Sequence, residues 1–380
     1  MNKSRRKRII STLALCAVSA TTLMSTGCGA DKDNDYTIAV ITKQDISFWH
    51  SVQDGAEKAG EELGVKVIYN EGADKDYPAG DTDYNTQKDY IDYAIKEGVD
   101  AIVIAPNSLE ELNDSFAKAE EKGIKIININ SRATYSGVLS CISSSDTDGG
   151  AVAARHAADA VLGSKKIRTA MAQVANATPE EGIAAVKKLG KGAVGLIGHT
   201  GDTANNRIDG FKAETAVQIQ AQMADDGIDL DKSGLTTQEI AAMFSKFFVG
   251  GENRCGTIDE AYDETKRLLN ESPNIVCLFA TNTNTTLGAC KAVQELGLQE
   301  TVHIIGFNAD SAELDYLRTG VLGGTVVQNP YNMGYFGVRY ALKACEDDGI
   351  PYSLDTGVTY VTQKNMNDDY IKLLLDPENY

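Results

Sequence analysis

Ala101-Ile102-Val103-Ile104 and Ile124-Lys125-Ile126-Ile127-Asn128-Ile129, with the window Leu109 to Glu121 between them, decide the fold. Nearly unbroken apolar runs of this length, rich in β-branched side chains, read as strands buried on both faces. The window between them is helical, so the strands belong to a parallel sheet covered on both sides. Upstream, Thr37-Ile38-Ala39-Val40-Ile41 reads as another buried strand and Val65-Lys66-Val67-Ile68 as the next. Phe48 to Leu63 reads as a helix, with Phe48, Val52, Ala56, Ala59 and Leu63 on one face and Ser47 at the N-cap. Tyr84 to Lys96 is a helix ending near Gly98.

Downstream the alternation repeats. Helices are expected at Gly149 to Leu162, from Arg207 onward, at Ile258 to Leu269, Thr285 to Leu296 and Ser311 to Arg318. Strands are expected at Ala193 to Ile197, near Phe247, at Ile275 to Phe279 and at Val302 to Ile305. Two such series in 380 residues predict an α/β protein with two doubly wound domains. Ligands of such sheets sit at the carboxyl ends of the strands. The residues just past each strand are therefore the candidates: Thr42-Lys43, Asn130-Ser131-Arg132, Gly198-His199-Thr200, Thr281-Asn282 and Phe307-Asn308.

The chain has 36 basic and 54 acidic side chains, a formal charge of −18. Lys3, Arg5, Arg6, Lys7 and Arg8 lie in the first 27 residues, which hold no acid, so the remainder carries −23. That balance argues against a nucleic-acid binder and against adhesion to anionic lipid. The basic head precedes sixteen uncharged residues, Ile9 to Met24, fewer than the roughly twenty that span a bilayer, and reads as a secretory signal. Leu23-Met24-Ser25-Thr26-Gly27-Cys28 resembles a bacterial lipoprotein signal, with Ser25 where that family usually has Leu. The resemblance implies that Cys28 carries lipid and that residues 29–35 form an acidic tether. A plain signal cleaved nearby is the alternative.

With Cys16 and Cys28 set aside, five cysteines remain, an odd number with no CxxC. Cys277 and Cys290 lie in apolar runs and are expected to be buried thiols. His50, His156, His199 and His303 are scattered, so neither a metal nor a cofactor is expected. Gly190-Lys191-Gly192-Ala193-Val194-Gly195 matches GxGxxG, but it enters a strand instead of opening a helix and reads as a helix-to-strand turn. No GKS or GKT phosphate loop and no GxSxG elbow is present, and no nucleophile, base and orienter assemble, so an enzyme is not expected.

Phe48-Trp49 begins a helix after a strand-end loop and suits an aromatic wall against an apolar ligand face; core packing is the alternative. Arg207 is read as opening a helix and as a forked donor to two ligand oxygens, against an ion-paired alternative. Asn130, Asn282, Asn308 and Gln328 each follow a strand-like run and suit hydroxyl groups, since an amide both donates and accepts.

These residues carry a resemblance. Thr37 to Ala56, Ala101 to Pro106, Ile127 to Ser131, Asn205 to Phe211, Ile304 to Asn308 and Gln328-Asn329-Pro330-Tyr331 resemble the sugar-binding lipoproteins of bacterial ABC importers. These are the ribose/galactose-binding type of periplasmic binding protein. The resemblance implies two Rossmann-like lobes joined by three hinge segments and closing over one sugar or polyol. It further implies a monomer whose partners are an ABC permease and its ATPase. Carried over residue by residue, the ligand set is Lys43, Phe48, Trp49, Asn130, Ser131, Arg132, Arg207, Asn282, Phe307, Asn308 and Gln328. The implied organisation is a signal at 1–27 and a tether at 28–35. The N-terminal lobe takes 36–145 and 329–355, and the C-terminal lobe 146–328 and 356–380.

Asn130 and Asn308 stand where the family has ligand-binding Asp. An amide offers one donor side, which favours a ligand bearing an acceptor. Insertions near 164–190 and 222–248 are expected to pack together as an added helical layer, the first starting a helix at Thr178-Pro179-Glu180-Glu181. Signalling to a membrane sensor kinase is the alternative function.

Overall fold

A computed structural model describes residues 36–43, 47–69, 83–163, 184, 193–225 and 234–375. Twelve strands among these residues form two sheets of six. The first contains β1 (Thr37–Ile41), β2 (Lys66–Tyr69), β3 (Ala101–Ile104), β4 (Lys125–Ile129), β5 (Val138–Ser143) and β11 (Ser353–Asp355), in the order β11-β5-β4-β3-β1-β2. The second contains β6 (Val194–His199), β7 (Phe248–Cys255), β8 (Cys277–Ala280), β9 (His303–Phe307), β10 (Gly324–Gln328) and β12 (Val358–Val361), in the order β12-β10-β9-β8-β6-β7. The two orders correspond strand for strand. Every pairing is parallel except that of β10 with β12.

Burial explains the strands. All four residues of β3 and of β8 are buried, so each strand is covered on both faces, as its apolar sequence requires. Burying each such Ile, Val or Leu contributes on the order of 1.5–3 kcal/mol. The covering helices of the first sheet are α1 (Ser47–Leu63), α2 (Tyr84–Glu97), α3 (Asn113–Glu121) and α10 (Pro330–Cys345). Those of the second are α4 (Asp146–Gly163), α5 (Asp202–Asp225), α7 (Ile258–Glu271), α8 (Thr283–Glu295) and α9 (Ser311–Thr319), with α6 (Thr237–Ser245) and α11 (Asp369–Leu375) as shorter pieces.

The chain passes between the sheets three times. It leaves β5 for α4, leaves β10 for α10, and runs from β11 to β12. Each passage joins the carboxyl edge of the first sheet to the carboxyl edge of the second, because β11 is parallel to β5 and Val358 of β12 pairs with Gln328 at the end of β10. The carboxyl edges of the two sheets therefore lie at the same hinge. Ser144 ties the three passages: its Oγ accepts from Asn329 N at 3.2 Å and pairs with Thr356 Oγ1 at 2.9 Å.

Helix pairs in both lobes pack backbone against backbone. A Cβ on Gly334 of α10 would lie 1.8 Å from the Val52 carbonyl oxygen of α1, and one on Gly150 of α4 would lie 2.0 Å from the Arg207 carbonyl oxygen of α5. Only glycine permits either approach.

Several expectations change. The helix expected from Leu109 starts at Asn113, after a turn in which Glu110 and Glu111 donate their N–H groups to Ser108 Oγ. The helix containing Arg207 starts at Asp202, so Arg207 lies in its second turn and does not open it. Strands β5, β11 and β12 and helix α10 were not expected. Tyr331, Asn332, Gly334, Tyr335 and Gly337 blunt the apolar signal of α10, whose start is set by Pro330 at the first turn and Asn329 as N-cap. Thr178–Glu181, most of the 164–190 insertion and Cys28 lie outside the described residues. Of the 222–248 insertion, α6 is described. A Thr236/Glu239 capping box starts it, and Met243 and Phe244 bury it against the second-lobe core.

Candidate functional site

In the first lobe, Lys43 follows β1 and Asn130-Ser131 follow β4. Lys43 Nζ donates to Ser131 Oγ at 3.0 Å and to Asn130 Oδ1 at 3.3 Å. Asn130 adopts φ 62°, a left-handed conformation that Asn and Asp tolerate better than other side chains. Its N–H donates to the Ile142 carbonyl of β5, which pins the turn. Below this edge the buried Gln87 of α2 donates to the carbonyls of Ala105 (2.8 Å) and Thr42 (3.3 Å) and accepts from Asn107 N (2.8 Å). It thereby ties the ends of β1 and β3.

In the second lobe, Arg207 is 5% exposed. Its Nε donates to Asp146 Oδ1 at 2.7 Å, its Nη1 donates to the Thr281 carbonyl at 2.6 Å, and its guanidinium lies 3.7 Å over the Phe307 ring. The ion-paired reading holds for Nε, and the fork is already half occupied, leaving Nη2 as the free donor among the described residues. His199 lines the same edge, with Nδ1 2.7 Å from Thr281 Oγ1 and Nε2 2.8 Å from Thr203 Oγ1.

Asn308 follows β9 as Asn130 follows β4. It too is left-handed, at φ 84°, and its N–H donates to the Val326 carbonyl of β10. Its side chain differs. Nδ2 donates to Thr283 Oγ1 at 3.3 Å, while Oδ1 is buried with no hydrogen-bond partner among the described residues. Thr283 Oγ1 donates in turn to Glu313 Oε2 at 3.1 Å. Glu313 is fully buried, and burial pushes its carboxyl up to about 8, against the opposing pull of the hydrogen bonds from the Asp310 N–H and Thr283.

Three of the sequence-derived candidates need correction. Trp49 is 5% exposed and belongs to the first-lobe core with Val52 and Met333, because the third residue of α1 points under the helix. Phe48, half-buried and edge-on to it at 4.8 Å, keeps the accessible edge of the pair. Phe307 is 0% exposed and supports the Arg207 guanidinium from below, so it presents no face to a ligand. Arg132 turns outward: its guanidinium stacks on the exposed Tyr352 ring at 3.6 Å and its Nη2 donates to the Tyr352 carbonyl. Asn282 is the N-cap of α8, its Oδ1 accepting from Thr285 N at 3.0 Å, so only its Nδ2 faces outward chemistry. Gln328 is buried at the hinge, with no side-chain hydrogen bond among the described residues.

Sequence reasoning missed Asp146, Gln87, Thr283 and Glu313. Gln87 had a signal, a polar residue in phase with Tyr90, Ile91 and Ala94 on the buried face of α2. Glu313 reads from sequence as the second half of the Asp310-Ser311-Ala312-Glu313 capping box, which it is. Nothing local reveals that it also lies under Asn308. A cavity of about 400 Å³ lined by Tyr36, Asp100, Lys125 and Cys345 opens at the amino ends of the first sheet, away from every candidate residue. Among the described residues no cluster of three or more metal-ligating side chains occurs. Cys277 and Cys290 are buried free thiols, and burial pushes the Cys277 thiol up to about 12.

Two lobes with matching strand orders, three hinge passages and polar side chains on both facing edges define a two-lobed small-molecule binding protein. Residues 38–349 match the periplasmic binding protein domain, and the chain belongs to that family of extracytoplasmic binding proteins. It is 23% identical over 354 residues to the ribose import binding protein RbsB of Salmonella typhimurium, covering 92% of this chain and 95% of that protein. With the ribose import binding protein RbsB of Bacillus subtilis it shares 24% identity over 350 residues, covering 89% and 91%. The carbohydrate transporter solute-binding protein of Agrobacterium radiobacter, solved in complex with D-arabinose, is 26% identical, with a TM-score of 0.62 over 90% of this chain and 99% of that one. Among the described residues no helix is long and apolar enough to cross a membrane.

Proposed function

We propose that this protein captures a small sugar or polyol between its lobes and delivers it to an ABC permease, anchored to the membrane through lipid on Cys28. The observation that carries the reading is the pair of polar edges meeting at one hinge, with Lys43, Asn130 and Ser131 on one side and Arg207, Asn282 and Asn308 on the other. Gln328 stands between them. Amides and hydroxyls match sugar hydroxyls, the exposed edge of Phe48 suits the apolar face of a sugar ring, and Arg207 Nη2 offers one charge-assisted donor. Contacts from both lobes shift the hinge equilibrium toward closure, and the closed form is the one that docks. Relatives named for import favour a permease over a sensor kinase as the partner.

Calorimetry with D-ribose, D-arabinose, D-tagatose and xylitol tests the reading; one-to-one binding is expected. Absence of heat and of any thermal shift at millimolar sugar sinks it, since a ligand that binds only the folded state must raise apparent stability. For the anchor, the wild type is expected to partition with detergent and Cys28→Ser with the aqueous phase.

A further inference from the structure

The Asn308 amide has one pole held and the other buried without a partner. Its Nδ2 meets Thr283 Oγ1, and its Oδ1 meets nothing among the described residues. Which pole points which way follows from the chain of donors behind it. Glu313 Oε2 accepts from the Asp310 N–H at 2.9 Å and from the Thr283 hydroxyl at 3.1 Å. Because the Asp310 N–H already points at Oε2, a proton on this carboxyl sits on Oε1, and Oε2 stays an acceptor in either charge state. A threonine hydroxyl has one proton. Given to Glu313, it leaves Thr283 Oγ1 able only to accept, and the only part of the Asn308 amide that can donate to it is Nδ2.

We propose that the buried Glu313–Thr283 pair is a specificity device. It locks the Asn308 amide with Oδ1 toward the ligand, so that the second lobe selects a ligand group that donates a hydrogen bond there. A hydroxyl satisfies Oδ1, whereas an ether oxygen, a fluorine or a carboxylate leaves two acceptors facing each other in a buried place. Neither Glu313 nor Thr283 needs to touch the ligand; both are positioning residues. The first lobe is set the other way, since Lys43 holds Asn130 Oδ1 and leaves Nδ2 to donate. The cleft thus has a donor pole and an acceptor pole built from the same residue type. This inference rests on the reading of the cleft as the sugar site.

The test has two arms. In the first, the best-bound of D-ribose, D-arabinose, D-tagatose and xylitol is compared by calorimetry with its monodeoxyfluoro analogues, which accept weakly but cannot donate. The wild type is expected to reject one analogue by about tenfold or more, the worth of one buried hydrogen bond. In Thr283→Val and Glu313→Leu, which remove the hydroxyl and its acceptor, the amide is free to turn, and that ratio is expected to fall to within about threefold. Equal weakening of sugar and analogues in both variants overturns the proposal, since a merely structural role moves them together.

The second arm needs no sugar. In the ligand-free protein labelled with ¹⁵N-asparagine, the Asn308 side-chain signal, identified by its loss in Asn308→Ala, is followed against pH. The titratable groups registered against Glu313 are Asp310 on its own cap and Cys290 on α8. The Asn308 amide is expected to shift with the ionisation of Glu313 and to lose that shift in Glu313→Gln. An amide indifferent to pH while the Glu313 carboxyl is itself seen to ionise overturns the proposal. Absence of binding in the first arm sinks the sugar reading, and the second arm still decides the Glu313–Thr283 pair.

Discussion

Asn130 and Asn308 occupy the same place in two lobes of matching strand order, yet opposite poles of their amides are engaged. Both are left-handed, and both donate their backbone N–H to the neighbouring strand. Lys43 takes the oxygen of the first, and Thr283 takes the nitrogen of the second. The backbone therefore explains why a short polar residue stands at each position, and only the neighbours explain what it offers. Both amides were expected to favour a ligand acceptor; the pole left unengaged among the described residues is Nδ2 in the first lobe and Oδ1 in the second.

The largest expected effect tests whether the lobes are equally dependent on their glycine-packed helix pairs. Gly334→Ala and Gly150→Ala each force a Cβ into a carbonyl oxygen of the facing helix, at 1.8 and 2.0 Å, and backbone cannot step aside as a side chain can. Each is expected to lower unfolding free energy by about 3 kcal/mol in denaturant titration. A tolerated alanine in one lobe alone would break the correspondence.

Next, Arg207→Met removes the cation and leaves Asp146 half-buried without its 2.7 Å partner. Calorimetry is expected to show sugar affinity lower by about a hundredfold or more. Lys43→Met removes the cation of the other lobe but frees Asn130 Oδ1 to accept, so a loss of only about tenfold is expected. A larger loss from Lys43 than from Arg207 would invert the picture of the second lobe as the stronger charged contact.

The pH dependence of stability separates the lobes further. The Glu313 carboxyl is raised from 4.5 to about 8 in the folded protein, so the folded state holds this proton where the unfolded chain has lost it. Its contribution is fully present below about 4.5 and is lost as pH rises through about 8. Thermal unfolding of the wild type is therefore expected to fall relative to Glu313→Gln between those limits. A constant difference across that range would show that the carboxyl is not held protonated. The smallest effect is expected of Arg132→Ala, whose guanidinium rests on an exposed Tyr352: within about 0.5 kcal/mol in stability, and no change in sugar affinity.

The strands other than β5, β11 and β12, and most helices, were legible because each is covered by its own lobe, which leaves a local record of apolar period. Helix α10 was not, since its burial rests on Gly334 and Gly337 fitting against α1 and the sheet, and glycine carries no hydropathy signal. At the site, strand-end position pointed to Lys43, Asn130, Ser131, Arg132, Asn282, Phe307, Asn308 and Gln328, and helix starts pointed to Phe48, Trp49 and Arg207. Trp49, Phe307 and Arg132 nonetheless turn away from that edge, because a place in the chain says nothing about which way a side chain turns.

By itself the sequence determined two parallel α/β lobes and a polar character for the edges of their strands. Periodicity and residue type are local properties, and these conclusions need nothing else. The tertiary structure decided which pole of each amide is available, that Arg207 is half spent on Asp146, and that a buried carboxyl lies under Asn308. These depend on hydrogen bonds between residues 25 to 88 positions apart, and no local pattern encodes them.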